Sequence, residues 1–167
     1  SEDVEGKEIT LEIARALKQK LDETDIKVYY TRMSDANLTE DSRVELANTV
    51  KADMMIRIEI NQSEDGKIFG TEAVYNGLFF IPDFGNVELA DLVEREVVTA
   101  ISGKANGLIE STENDEVLNQ AEIPAATIRV GYITNEQEGI LLGREDYAQK
   151  IAEGIYQAII RAYEEYL

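Results

Sequence analysis

A chain of 167 residues with 44% hydrophobic side chains is long and apolar enough to fold around one sizeable core. It has no cysteine and no histidine, which excludes disulfides, thiolate chemistry, imidazole ligands and Ser-His hydrolysis from within the chain. A formal net charge of −18 repels nucleic acid, anionic membranes and, at long range, anionic wall polymers.

A metal site in such a chain has to be built from carboxylates, which suit calcium, magnesium or manganese better than zinc. No apolar run is long enough to cross a bilayer, so membrane insertion is not expected. No basic-then-apolar signal segment opens the chain. The acidic surface serves solubility or a basic partner protein.

The elements read in order as follows. Ile9, Ile13, Leu17 and Leu21 recur every fourth residue and predict an amphipathic helix through about Glu23. Residues 26–31 are β-branched and aromatic and predict a strand. Thr39 is the expected N-cap of a second helix, which runs to about Val50 and turns Val44, Leu46 and Ala47 inward. Residues 53–60 predict a strand, and the polar stretch after it a turn. Residues 70–76 predict another strand. A loop at 78–85, with Phe79, Phe80 and Pro82, is expected to pack over the site. Residues 87–101 predict a helix that buries Leu89, Leu92, Val93, Val97 and Ala100. Residues 103–121 read as irregular. Pro124 precedes a buried-type strand at 125–130, and 131–143 reads as a loop with short helical turns. A last helix at 145–167 carries Tyr147, Ile151, Ile155, Ile159 and Tyr163 on one stripe. There is no internal repeat and no low-complexity linker, so residues 1–167 read as one domain.

The stretch around Ile58 organises the rest. Ile56, Ile58 and Ile60 alternate with Arg57, Glu59 and Asn61, so the isoleucines share one strand face and the polar side chains the other. Helical patterns flank this strand, which predicts an α/β sheet. In such sheets ligands bind at the C-terminal strand ends. The polar face is therefore read either as a solvated surface or as the wall of a site.

The order of motifs resembles a known family. The matching stretches are Leu11-Glu12-Ile13-Ala14, Tyr30-Thr31-Arg32, Arg43 with Ala47-Asn48, and Ala52-Asp53. Ile58 with Asn61, Gly70-Thr71-Glu72 and Leu89-Ala90 follow, then Ile123-Pro124-Ala125 and Gly131-Tyr132-Ile133-Thr134-Asn135. This collinear set is similar to the zinc-dependent N-acetylmuramoyl-L-alanine amidases, catalytic domains that cut peptidoglycan between muramic acid and the stem peptide. The resemblance implies a three-layer αβα sandwich around a mixed, mostly parallel sheet. It also implies a location at the cell envelope or outside the cell.

The family's chemistry rests on a zinc ion held by two histidines and a glutamate, with a second glutamate as general base. The family's first strand and first histidine have no counterpart in this sequence. The glutamate ligand falls at Gly6, with Glu5 and Glu8 out of register. Glu59 stands where the second histidine belongs, and Arg129 where the general base belongs. No catalytic residue and no zinc ligand is retained, so no cofactor is expected.

The replacements predict a pair. The Arg129 guanidinium is expected to fill the former metal position and to hydrogen-bond Glu59, bidentately and in a buried setting. Arg57, Glu59, Asn61, Arg129 and Asn135 are the candidate ligand contacts. Arg32, Arg43 and Asn48 are matched positions whose plain role is structural hydrogen bonding, and Phe79 with Phe80 would offer a sugar-stacking surface. The expected function is non-catalytic binding of peptidoglycan or an envelope protein. The alternatives are an active amidase rebuilt on carboxylates such as Glu5, Glu8 and Glu59, and an acidic protein-interaction module.

Overall fold

The structure, a computed structural model, describes residues 2–31 and 40–167. Among the described residues, four strands form one sheet: β1 (Met55–Asn61), β2 (Thr71–Tyr75), β3 (Ala105–Glu110) and β4 (Ala125–Tyr132). Their order is β1-β4-β2-β3, with β1 parallel to β4, β2 parallel to β3 and β2 antiparallel to β4. The helices among the described residues are α1 (Glu2–Leu21), α2 (Glu40–Thr49), α3 (Asn86–Ile101), α4 (Glu116–Gln120), α5 (Glu136–Leu142) and α6 (Glu145–Glu165).

The two sheet faces carry separate cores. On one, α1, α3 and α6 bury Ile13, Leu89, Val93, Val97, Ile151 and Ile155 against Ala73, Ile128 and Val130. Each large aliphatic side chain taken wholly from water contributes roughly 1.5–3 kcal/mol. The helices α3 and α6 approach so closely that a Cβ on Gly154 would lie 2.6 Å from the Val97 Cα, which explains a glycine inside an otherwise good helix. On the other face, Val44 of α2 and Val117 and Leu118 of α4 close over Val74 and Ala125. These helices and the sheet make the three layers.

β1 follows the expected alternation. Ile56, Ile58 and Ile60 pack against the larger core, and Arg57, Glu59 and Asn61 point to the opposite face. Yet every residue of β1 is only half-buried, whereas the central strands β2 and β4 are almost wholly buried. The reason is position: among the described strands, β1 is at an end of the sheet.

Several expectations are corrected. The stretch 103–121 is not irregular: it holds the edge strand β3 and the short helix α4. Gly107, paired with Glu72 just past a register shift in the ladder, has a φ of 103°, which glycine alone adopts readily, and this masks the strand in the sequence. Residues 26–31 form no ladder with the described strands. Leu46 and Ala47 are half-buried rather than core. The loop 78–85 does not cover the polar face. It leaves β2 beyond Tyr75, the end away from Glu72, and Phe80 stands 80% exposed, because β2 runs antiparallel to β4. The expected cap at Thr39 lies outside the described residues.

Candidate functional site

The sheet register builds the site. Glu59 of β1, Arg129 of β4 and Glu72 of β2 sit on one rung across three neighbouring strands. Residues on a rung share a face, so three charged side chains meet on the side opposite the isoleucines. One rung along, Arg57 faces Thr127.

A continuous network results. The Arg129 Nη1 donates to Glu72 Oε1 at 3.0 Å, and its Nε to Glu59 Oε2 at 3.4 Å. Asn61 Nδ2 donates to the same Glu72 oxygen at 2.7 Å. Arg57 Nε donates to Thr127 Oγ1 at 2.8 Å and lies 3.2 Å from Glu59 Oε1. Arg57 Nη2 donates to Asp115 Oδ2 at 2.6 Å, while the other Asp115 oxygen caps α4 at Leu118 N. Two guanidiniums are thus shared among three carboxylates.

The predicted contact between Arg129 and Glu59 is present, with two corrections. It is not bidentate: one N–H reaches Glu59 and another reaches Glu72. Nor is it deeply buried, since the Arg129 side chain is 32% exposed and that of Glu59 35%. The deeper partner is Glu72, with its side chain 8% exposed. Burial alone would weaken the Arg129 charge. The hydrogen bond to Glu72 and the field of Glu59 outweigh it and hold the guanidinium above its usual pKa.

Glu72 and Asp115 are the site residues that the sequence reading missed as partners. The signal for Glu72 was available. It is the lone charge in the buried run Thr-Glu-Ala-Val-Tyr, and Arg129 is the lone charge in Ala-Ala-Thr-Ile-Arg-Val. A buried charge needs a partner, and two lone charges of opposite sign can supply one another's. No comparable signal marks Asp115, which lies in an acidic stretch.

The other candidates scatter. Asn135 is structural: its Oδ1 caps α5 at Glu138 N and its Nδ2 donates to Gly66 O, both at 3.0 Å. Asn48 ties α2 to Gln120 O and Glu122 N. Gly6 packs beside Ile60 at the start of α1, and Glu5 and Glu8 are exposed on that helix. Arg32 lies outside the described residues. A cavity of about 350 Å³ opens beside the network, walled by Arg57, Glu59, Arg129, Glu110 and Asp115. Ser111 Oγ, buried and without a hydrogen-bond partner, is in its wall.

The residues present do not fit a zinc ion of the amidase kind. The carboxylates of this face are already engaged by Arg57 and Arg129, and none of the 167 residues is a histidine. Among the described residues, no three acidic side chains converge as a metal would require.

Comparison with known proteins places this architecture. A germination-specific N-acetylmuramoyl-L-alanine amidase of Bacillus subtilis is 27% identical over 95% of this chain and 71% of its own length. The crystal structure of an N-acetylmuramoyl-L-alanine amidase from Clostridium difficile 630 superposes with a TM-score of 0.86 at 31% identity, covering 96% of this chain and 84% of that one. The CwlD amidase of Clostridioides difficile, solved in complex with the GerS lipoprotein, gives 0.84 at 25% identity, covering 95% and 86%. Residues 1–161 match the family profile of N-acetylmuramoyl-L-alanine amidase, and the chain belongs to that family.

Proposed function

We propose that this chain is a catalytically degenerate amidase-like domain of the bacterial cell envelope, which binds peptidoglycan or an envelope protein without cutting it. The observation that carries this reading is the Arg129 bridge between Glu72 and Glu59. A divalent ion seeking those carboxylates has to displace a guanidinium that already joins them. Arg129 also offers no lone pair to accept a proton from an attacking water. The face that would polarise an amide is therefore filled by a polar network in which two guanidiniums engage three carboxylates.

The same network suits binding. Arg57, Arg129 and Asn61 carry donors, the carboxylates carry acceptors, and the adjoining cavity is open to solvent. The family relationship favours a wall ligand, and the CwlD–GerS complex shows one relative of this fold with a protein partner. The long-range repulsion of a chain at −18 from anionic wall polymers limits non-specific attachment.

Purified peptidoglycan incubated with the protein and zinc tests the proposal. The expected result is co-sedimentation with the wall and no stem peptide released. Zinc-dependent release that disappears in Glu59→Gln would establish a working amidase instead.

A further inference from the structure

Between β2 and α3 the chain runs through a loop, residues 76–85, that carries large apolar side chains outward. Leu78 is 98% exposed and Phe80 80%, and Phe79 and Val87, the latter in the first turn of α3, are exposed as well. We propose that this loop is a docking knob for another protein, one whose surface is apolar and edged with Lys or Arg.

The loop is built to hold that shape. Asn76 and Asn86, both buried, tie its two ends together. Asn86 Nδ2 donates to Asn76 O at 3.1 Å and to Phe79 O at 3.2 Å, and Asn76 Oδ1 accepts from Leu78 N at 3.0 Å. Asn86 Oδ1 accepts from Ala125 N at 2.9 Å, which fastens the loop to the first residue of β4. Phe84 turns inward and stacks on Tyr166 with ring centroids 4.9 Å apart. Asp83 turns the chain at a φ of 69°, a region that aspartate adopts more readily than most side chains. Folding Leu78 or Phe80 back onto the core would break these bonds. A cluster of apolar side chains fixed in water marks an interaction surface.

Charge selects the partner. No Lys or Arg stands between Lys67 and Arg95, whereas Asp83, Glu88 and Asp91 stand on the loop and the first turns of α3. Arg95 lies 3.6 Å from Asp91, but no cation among the described residues pairs with Asp83 or Glu88. Glu88 is half-buried, and its Oε2, covered from water, accepts no hydrogen bond. A covered carboxylate oxygen without a donor is costly, and a cation brought beside it offsets that cost. Apolar side chains flanked by unpaired carboxylates match a surface that is itself apolar and flanked by cations.

The same charges disfavour other occupants. A second copy brings another net charge of −18 and the same unpaired acids to the contact, and an anionic bilayer repels them. The knob uses no residue of the Arg129 network, so it stands or falls apart from the loss of catalysis.

The test titrates the 167-residue protein into a short dye-labelled helical peptide of Leu and Lys, or its Leu/Glu counterpart, and reads fluorescence anisotropy at about 0.15 M salt. The Leu/Lys peptide is expected to bind and the Leu/Glu peptide not. Leu78→Ser with Phe80→Ser should weaken binding about tenfold or more without lowering Tm, since both side chains are exposed. Asp83→Asn with Glu88→Gln should weaken it about threefold or more. Equal binding by the double serine variant would show that overall charge holds the peptide, and the knob would be wrong. Equal binding of the two peptides, or no effect of the Asp83 and Glu88 changes, would overturn the charge match. If the wild type binds phosphatidylcholine vesicles, or self-associates in sedimentation equilibrium, and the double serine variant does not, the loop belongs to lipid or to a second copy and the proposal fails.

Discussion

Two nearly buried glutamates anchor the sheet in opposite ways. Glu138, at the start of α5, is held by backbone: its carboxylate accepts from Gly70 N and Tyr132 N, with no cation in the set. A Cβ on Gly131 would come within 2.9 Å of that carboxylate, so the glycine makes room for it. Glu72 is held by side chains, from Arg129 and Asn61. Main-chain donors cannot be exchanged by mutation, whereas side-chain donors can. The first arrangement therefore reads as a structural clamp between strands, and the second as a place where the sequence is free to change chemistry.

The largest expected effect breaks the clamp. Glu138→Ala orphans two N–H groups at the β2 and β4 ends and should cost about 3 kcal/mol in urea unfolding, at roughly 1–3 kcal/mol per buried group left unpaired. Arg129→Met should cost less, about 2 kcal/mol, because Glu72 keeps Asn61 and the region is partly wet. Adding Glu72→Gln to Arg129→Met should cost less than the sum of the single changes, since the lone carboxylate is what hurts. A purely additive result would remove the coupling claimed for this rung.

Acidity gives a further handle on the clamp. Burial pushes the Glu138 carboxyl above its usual pKa, although the Tyr132 and Gly70 N–H groups pull it back. Burial does the same to Glu94, which accepts from Gly107 N. A group with a raised folded pKa binds more protons folded than unfolded, so stability falls as pH rises from the ordinary carboxylate range through the raised value. Stability measured against pH should show that fall in the wild type. Glu138→Gln should flatten part of it, and Glu138→Gln with Glu94→Gln more. The smallest effect belongs to the rim: Arg57→Ala should cost about 1 kcal/mol by thermal melting, because Asp115 keeps its cap on Leu118.

Much of this was legible beforehand. The period of two in β1 gave both faces of that strand, and the fourfold spacing of isoleucine and leucine gave α1 and α6. The family's motif positions located the site at Glu59 and Arg129, and their opposite charges predicted the contact. What the chain did not disclose was neighbourhood. Nothing local says that β2 lies antiparallel beside β4, and only that pairing brings Glu72 to Arg129 and carries Phe80 away. The strand β3 was hidden by Asn106-Gly107, which reads as a turn, and Asp115 by its acidic surroundings. Residues 26–31 have the composition of a strand but pair with no described strand.

Equilibrium dialysis against zinc, with bound metal counted by mass spectrometry, tests the central claim most directly. The wild-type chain should retain far less than one zinc, because Arg129 already spans the carboxylates an ion would use, and Arg129→Gln should bind measurably more. One zinc held tightly by the wild type, and lost in Glu59→Gln, would contradict the account.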